Sequence, residues 1–323
     1  MQLHTTLALS LLITAKTDPD SEADRFIITN EFYPEQYSIY TSKYEIVNII
    51  VPLNQLNYGN NPGSKYVFFF VEADQDESGR VIEKGLYVFK DGNPIKLLDN
   101  GRDVAAAADE SNVAFIAAED GIYLYNNERV SVHKYGTISD SIIGIAKPTH
   151  SDIIYILTED KEVFIVSGMD TKKEKVNEIV NAEQIILDYD NNLYYLDADT
   201  QVYFYDFLSV TKIEGLPDYA FSARLLKPPV TTQGFVPFVV DGEIYCINAK
   251  GYAEMFDKVE FAGNGTPSAF AMEDGVVHYY AINKKIYEFD IYDILHNGAK
   301  GLLGKLVKKT VADEILTLIG LLV

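Results

Sequence analysis

Seven polar side chains stand among small or apolar residues, where they could bind a small molecule. They are Gln55, Arg102, Asp103, Asp140, Gln184, Arg224 and Ser268. The two arginines carry the most specific chemistry, because a guanidinium group can pair with a carboxylate or stack on a flat aromatic ring. Each arginine could equally form salt bridges within the fold, so both interpretations stay open. The set predicts a ligand-binding site with no catalytic residue and no cofactor.

Acidic residues offer a different chemistry in the same regions. Asp103, Asp140 and Glu183 could hold a divalent metal or polarise a substrate, as an enzyme would require. No histidine stands near another histidine or a cysteine at ligand spacing, so the sequence does not predict a zinc site. The sequence also contains no glycine-rich phosphate loop and no Gly-x-Ser-x-Gly motif. A metal enzyme is therefore the alternative hypothesis.

The scaffold for these side chains is indicated by a short strand pattern with a central aromatic residue. The central residues are Tyr87, Tyr123, Phe164, Tyr203, Tyr245 and Tyr287, at intervals of 36 to 42 residues. This period is typical of the blades of a β-propeller. We therefore expect six blades, with the aromatic residues in third strands, away from the channel.

The residues around each aromatic strand predict the rest of a blade. A second strand precedes it across a tight polar turn such as Glu119-Asp120-Gly121, which indicates a β-hairpin. Small-residue segments such as Ile142 to Ala146 suit innermost strands, and segments such as Val130 to Lys134 suit outer strands. The predicted fold is an all-β, six-bladed propeller of four-stranded blades, with the seven polar residues at or near the starts of the inner strands.

The first blade and the ring closure are less regular. We expect Leu53 to Asn57 as the inner strand of the first blade and a mobile, exposed acidic loop from Ala73 to Lys84. The strand-like stretch Tyr44 to Val51 has no other place, so we expect this N-terminal strand to pair with the last blade. Such a pairing closes the ring and removes exposed sheet edges.

The two ends of the chain differ from the repeats. An apolar run before a polar, acidic stretch predicts a signal peptide over residues 1–17 and hence secretion. The propeller is expected over residues 25–297. Residues 298–323 place apolar side chains at three- and four-residue steps, which predicts an amphipathic helix. This helix could dock on the propeller or on another subunit, lie on a membrane surface, or belong to a processed lipid-anchor signal.

The composition argues against nucleic acid as a partner, and two individual residues, Cys246 and Asn264, have specific expectations. A formal charge of −21 argues against binding to nucleic acid, which requires clustered basic residues. Cys246 is the single cysteine, so no intrachain disulfide can form, and its apolar neighbours predict a buried side chain. Asn264 begins the one Asn-x-Thr sequence for N-glycosylation, with Pro267 directly after it.

Three hairpin segments carry a family resemblance. They are residues 119–125 (EDGIYLY), 154–160 (IYILTED) and 192–196 (NLYYL). With the signal-like start, the chain resembles the ommochrome-binding proteins of lepidopteran haemolymph and related secreted insect propellers, over roughly Leu53 to Asp290. The resemblance implies non-covalent binding of a flat, tryptophan-derived pigment such as xanthommatin, without catalysis. Hairpins of this type also occur in gluconolactonase-like and Yellow-type propellers.

Three functional hypotheses follow. The first is a secreted, non-enzymatic protein that carries or sequesters a small aromatic ligand in the propeller channel. The second is a propeller enzyme of the gluconolactonase or Yellow type, with a divalent metal at the channel mouth. The third is a structural or assembly module that uses its C-terminal helix for self-association or contact with a membrane surface.

Overall fold

A computed structural model of the chain describes residues 26–58, 66–76, 81–168, 172–227, 235–273 and 277–290. The predicted signal peptide (1–17) and the predicted C-terminal helix (298–323) lie outside the described residues. The last residues of the expected propeller, 291–297, also lie outside them.

Twenty-five strands are described. Two of them precede the blades along the chain: β1 (Phe26–Ile28) and β2 (Ser38–Thr41). Blade 1 contains β3 (Glu45–Ile50), β4 (Phe68–Gln75), β5 (Val81–Lys90) and β6 (Asn93–Leu98). Blade 2 contains β7 (Gly101–Ala105), β8 (Phe115–Ala118), β9 (Gly121–Asn126) and β10 (Ser131–Lys134). Blade 3 contains β11 (Ile142–Ala146), β12 (Ile154–Thr158), β13 (Val163–Ser167) and β14 (Lys172–Lys175).

The second half of the ring repeats this order. Blade 4 contains β15 (Ala182–Leu187), β16 (Leu193–Asp197), β17 (Val202–Tyr205) and β18 (Val210–Lys212). Blade 5 contains β19 (Ala223–Leu225), β20 (Val236–Val240), β21 (Glu243–Asn248) and β22 (Tyr252–Phe261). Blade 6 contains β23 (Ala269–Met272), β24 (Val277–Ile282) and β25 (Lys285–Asp290). The short helical turns are Asn30–Phe32, Glu35–Tyr37, Gln55–Tyr58 and Gly263–Gly265.

Six sheets of at least four strands, with their inner strands around one axis, form a six-bladed β-propeller. The prediction of the fold from the aromatic repeat is confirmed, and all six aromatic residues lie in third strands. Tyr87 stacks on its ladder partner Phe70 at 5.0 Å between ring centroids, and Tyr203 stacks on Tyr195 at the same distance. Such cross-strand aromatic pairs stabilise these two hairpins.

Ring closure by an N-terminal strand is confirmed, but the predicted strand was wrong. Strand β2 pairs antiparallel with β25 and completes blade 6. Residues 45–50, expected to close the ring, form the inner strand of blade 1, because Ile46, Ile49 and Ile50 suit a strand buried by neighbours on both faces. The predicted inner strand Leu53 to Asn57 is therefore also wrong. Its residues include a helical turn at Gln55–Tyr58, where the Asn54 side chain accepts a hydrogen bond from the Leu56 amide.

Two further features differ from the sequence-based expectation. Strand β1 adds a fifth strand to blade 5 by pairing parallel with β22, so the N-terminal segment ties the last two blades together. The expected loop from Ala73 to Lys84 is largely a continuation of the first hairpin. Strand β4 extends to Gln75 and β5 begins at Val81, with ladder pairs such as Asp74 with Ile82.

The core lies between the blades. Phe68 of blade 1 packs on Tyr279 of blade 6 at 4.5 Å between ring centroids, and Phe69 meets Tyr125 of blade 2 edge-on at 5.0 Å. Comparable clusters of buried apolar residues join blades 2 and 3, 3 and 4, and 4 and 5. These clusters pack neighbouring blades together around the axis, where a ligand site was expected.

Candidate functional site

An ion pair crosses the central channel. Asp103 on β7 of blade 2 accepts hydrogen bonds from Asn48 of blade 1 at 2.9 Å and from the Ile145 amide of blade 3 at 3.0 Å. Lys227, which follows β19 of blade 5, donates to Asp103 at 3.1 Å and to the carbonyl of Val104. Blades 2 and 5 are opposite in a ring of six, so Lys227 spans the axis and obstructs the channel at this level.

The space left in the channel is small. A cavity of about 110 Å³ lies where the inner strands end, and it is bordered by residues such as Val51, Ala106 and Lys147. Ligand pockets usually measure about 300–1,000 Å³, so this cavity is too small for a flat, multi-ring molecule. None of the seven predicted site residues borders it.

Two of the predicted residues fasten neighbouring blades. The Gln184 carboxamide donates to the Leu225 carbonyl at 2.7 Å and accepts from the Leu225 amide at 2.9 Å, which joins blades 4 and 5. The Ser268 hydroxyl donates to the carbonyl of Ile46 at 2.8 Å and joins blades 6 and 1. Both side chains lie in the inner ring, but their polar groups already form hydrogen bonds with the backbone of a neighbouring blade.

Arg102 joins three blades at the face where the inner strands begin. Its Nε lies 2.6 Å from Glu83 of blade 1, and Nη1 donates to Ser141, just before blade 3, at 2.8 Å. Nη1 also lies 3.5 Å from Glu159, which follows β12. The structure therefore supports one of the two interpretations left open for Arg102, in which the arginine forms salt bridges between blades.

Two other predicted residues, Gln55 and Asp140, lie apart from the channel cavity. Gln55 begins the short helical turn between β3 and β4 of blade 1, and its amide donates to the Ser111 carbonyl at 3.0 Å. Asp140 is paired with Lys173 at 2.6 Å, and Lys173 lies over the Phe164 ring at 4.1 Å. Neither residue borders a cavity of ligand size in the described part of the chain.

The three acids of the enzyme hypothesis do not converge. Asp103 pairs with Lys227 and Asp140 with Lys173, while Glu183 pairs with Lys161. Over the described ranges, no group of three or more His, Cys, Asp or Glu side chains is arranged to hold a metal ion. These carboxylates thus act as partners for lysines.

A larger cavity of about 370 Å³ lies between blades 5 and 6. Its walls are mostly apolar and include three phenylalanine rings. The bordering residues are Ser222, Ala223, Arg224, Leu226, Pro237, Val239, Ile244, Cys246, Phe256, Phe261, Thr266, Pro267, Phe270 and Met272. The volume falls within the usual range of ligand pockets.

Strand periodicity explains why these residues share one cavity. On β20 and β21, the ladder pairs Pro237 with Cys246 and Val239 with Ile244 place four side chains on one face of blade 5. On blade 6, Phe270 and Met272 are two residues apart on β23 and face the same side. This cavity was not predicted from the sequence. The alternation of side chains along β20, β21 and β23 does indicate which residues share one face of each strand.

Arg224 is the one predicted site residue that borders this cavity. Its Nη1 donates to the carbonyl of Ser268 in blade 6, and Nη2 donates to the carbonyl of Val47 in blade 1. Burial lowers the pKa of the guanidinium, and the negative charge of Asp103 opposes that shift. No carboxylate lies within ion-pair distance of Arg224 among the described residues.

Cys246 also borders the cavity. Its side chain is half-buried, in contrast to the fully buried position that its neighbours in sequence predicted. Burial, followed by the charge of Glu254, raises the pKa of the thiol to about 11. The thiol is therefore protonated at neutral pH and is a weak nucleophile there.

An aromatic cluster adjoins Phe270. The Phe270 ring lies 4.7 Å from Tyr280 and 5.9 Å from His278, between centroids. His278 Nδ1 lies 3.2 Å from the Tyr280 hydroxyl, and burial lowers the pKa of this histidine to about 4. His278 is therefore neutral at physiological pH. Its Nε2 has no hydrogen-bond partner within the described residues.

The predicted glycosylation site lies close to the same cavity. Asn264 is exposed in the turn Gly263–Gly265, and the two residues that follow this turn, Thr266 and Pro267, border the cavity. Glycosylation of Asn264 stays a prediction. The exposed position leaves the side chain accessible to modification.

Comparisons with known proteins bear on the fold only. No protein-family model matches the chain, and no curated protein matches it. Kuenenia stuttgartiensis hydrazine synthase is similar with a TM-score of 0.50 and 10% identity, over 85% of this chain and 85% of that chain. PorZ, a surface component of the type-IX secretion system of Porphyromonas gingivalis, has a TM-score of 0.47 and 12% identity.

The match to PorZ covers 78% of this chain but 37% of PorZ, so the chain spans little more than a third of that protein. At such low identities the likeness concerns the propeller alone. Within the described ranges, no helix has the length and apolar character needed to cross a membrane.

Proposed function

We propose that this protein is a secreted, non-catalytic binding protein for a small, flat, largely aromatic molecule, which it carries or sequesters between blades 5 and 6. The observation that carries the proposal is the cavity of about 370 Å³ with its three phenylalanine rings. Buried pockets with mostly apolar walls and few polar groups are the common form of small-molecule sites.

The position of the site differs from the channel that the sequence suggested. The channel cavity of about 110 Å³ is too small for a multi-ring ligand, and the ion pair between Lys227 and Asp103 obstructs the channel beside it. The interblade cavity has more than three times that volume. The volumes therefore favour the interblade position.

The proposed class of ligand is supported by the residues that line the cavity and by the sequence resemblance to ommochrome-binding proteins. Phe256, Phe261 and Phe270 can contact a planar ring system by stacking or by edge-to-face packing. The sequence resemblance to ommochrome-binding proteins suggests a tryptophan-derived pigment such as xanthommatin. The lining has one cysteine, and its raised pKa argues against covalent attachment at neutral pH.

Titration of the purified full chain with xanthommatin, followed by the visible absorbance of the pigment, tests the proposal. Val239→Phe fills the interblade cavity, and we expect at least tenfold weaker binding because the ring occupies the ligand's space. Ala106→Leu is the matched control, since it fills the channel cavity. We expect this control to leave the affinity within about threefold of wild type.

Two results would contradict the proposal. If wild-type protein binds neither xanthommatin nor any aromatic probe, it is not a carrier of this class. If Ala106→Leu abolishes binding while Val239→Phe does not, the ligand lies in the channel. Thermal unfolding of both variants checks that each one folds.

A further inference from the structure

Two cations lie near one carboxylate in the inner ring of the propeller. Lys227 and Arg224 both lie near Asp103, but Asp103 is ion-paired with Lys227 alone. The two Asp103 oxygens already accept from Lys227, Asn48 and the Ile145 amide. Around Asp103, one carboxylate is therefore shared by two cations, in a chain whose formal charge is −21.

Arg224 differs in this respect from the other arginine that lies between blades. Arg102 is paired with the carboxylates of Glu83 and Glu159. Arg224 donates to two backbone carbonyls, and no carboxylate lies within ion-pair distance of it across the described residues. A buried charge without a counter-charge is costly, so such groups are usually paired. Arg224 therefore has no directly paired carboxylate among the described residues, although the negative charge of Asp103 acts on it from a distance.

The guanidinium of Arg224, a residue that borders the cavity, is held by hydrogen bonds to two blades. The carbonyls of Ser268 and Val47 use one donor on each terminal nitrogen and come from two different blades. A guanidinium has five N–H donors, so three remain without a partner in the described part of the chain. Arg224 also keeps part of its surface accessible, and it borders the cavity. The remaining donors suit an anion bound within the cavity.

We propose that the ligand of this cavity is an organic anion, with a flat apolar body against the phenylalanine rings and one carboxylate or similar acidic group paired with Arg224. This inference rests on the proposed function, because it assigns the ligand's chemistry at the same site. It also assigns a role to Arg224, which holds the acidic group and selects against neutral ligands of the same shape.

Two fluorescent probes with the same aromatic body test the inference. 8-Anilinonaphthalene-1-sulfonate carries an acidic group, and N-phenyl-1-naphthylamine is its neutral counterpart. We expect wild-type protein to bind the anion about 10- to 100-fold more tightly, the range expected of a buried charge-assisted hydrogen bond. Each probe should displace the other, because both occupy one cavity.

Two variants of Arg224 and one control variant test whether Arg224 causes the preference for the anionic probe. Arg224→Met removes the charge at similar length, and we expect the preference for the anion to fall to less than threefold. Arg224→Lys keeps the charge without the forked donors, so an intermediate preference is expected. Arg129→Met is the matched control, because Arg129 is exposed at a hairpin turn of blade 2. This control should leave both affinities unchanged.

The outcomes separate this inference from the proposed function. Equal affinity of wild type for the two probes, or an unchanged preference in Arg224→Met, would overturn the role of Arg224 while leaving a binding cavity in place. Failure of both probes to bind would overturn the cavity as a ligand site and this inference with it. The wild-type comparison needs no substitution, so it stays decisive even if Arg224→Met does not fold.

Discussion

Lys227 of blade 5 donates a hydrogen bond to Asp103 of blade 2 across the axis of the propeller, at 3.1 Å. The side chain of Asp103 also links blades 1 and 3 through Asn48 and the Ile145 amide. One buried carboxylate therefore connects four of the six blades. This arrangement stabilises the ring and moves the candidate ligand site out of the channel.

Asp103→Asn should reduce the free energy of unfolding by about 2 kcal/mol, because the substitution removes the charge that accepts from Lys227 and leaves an amide group among buried donors. Urea denaturation measures this loss. Asp140→Asn is the control, since Asp140 forms a part-exposed pair with Lys173. It should cost about 0.5 kcal/mol. Equal losses in the two variants would refute the special role of Asp103.

Cys246 should react slowly with a thiol reagent such as dithionitrobenzoate at pH 7.5, because its pKa of about 11 leaves little thiolate. The rate should rise as the pH approaches 11. A ligand in the cavity should slow the reaction further, since Cys246 lies in the wall. The same reaction in urea gives the rate of an accessible thiol. A folded protein that reacts as fast as the unfolded protein would contradict the half-buried position of the thiol.

His278 should make stability depend on pH. Its pKa is about 4 in the folded protein and 6.5 in the unfolded chain, so the unfolded state binds the proton more tightly. The free energy of unfolding is therefore highest, with respect to this group, above about pH 6.5. It decreases as the pH falls from about 6.5 to about 4, because protonation of His278 then favours the unfolded chain. This shift corresponds to about 3 kcal/mol.

The pH dependence can be measured by urea denaturation between pH 4 and 7. His278→Gln should flatten the profile. His133→Gln should not, because His133 is exposed on β10. A profile for His278→Gln that matches wild type would show that another group titrates in this range.

Gly265→Ala should destabilise the attachment of the N-terminal segment by about 2–3 kcal/mol. A Cβ at Gly265 would lie 2.4 Å from the carbonyl oxygen of Ile28, and the Gly265 carbonyl accepts a hydrogen bond from Tyr33. Gly263→Ala is the matched control in the same turn. Its added Cβ meets nothing within 4 Å, so only the positive φ of 56° opposes it, at about 1 kcal/mol.

Thermal unfolding of the two glycine variants, compared with wild type, measures the difference. Both variants keep the Asn264 glycosylation sequence intact, so glycosylation does not confuse the comparison. If Gly263→Ala proves the more damaging, the close approach of the Ile28 backbone does not limit this turn.

Sequence reasoning predicted the parts of the fold that depend on local periodicity. The six aromatic residues from Tyr87 to Tyr287 marked the third strands, because alternation and turn residues act over a few positions. The closing strand was misassigned because Ser38–Thr41 and Glu45–Ile50 are both short strand-like segments. Only packing against blade 6 or blade 1 distinguishes them.

The candidate site is formed by residues that are far apart in sequence, so the sequence predicted less of it. Arg224 was predicted as a ligand contact from its type and position, and the structure places it beside a cavity, although not beside the channel cavity. The phenylalanine walls were missed, because Phe256, Phe261 and Phe270 lie in different strands. Their common cavity depends on how blades 5 and 6 meet.

The sequence by itself determined a propeller of six blades, since each blade repeats a strand pattern that can be recognised within about forty residues. The tertiary structure alone decided which polar side chains fasten blades, where Lys227 crosses the axis, and where a cavity remains. The physical reason is that strands form from local alternation, whereas cavities and ion pairs depend on the packing of blades whose residues are far apart in sequence.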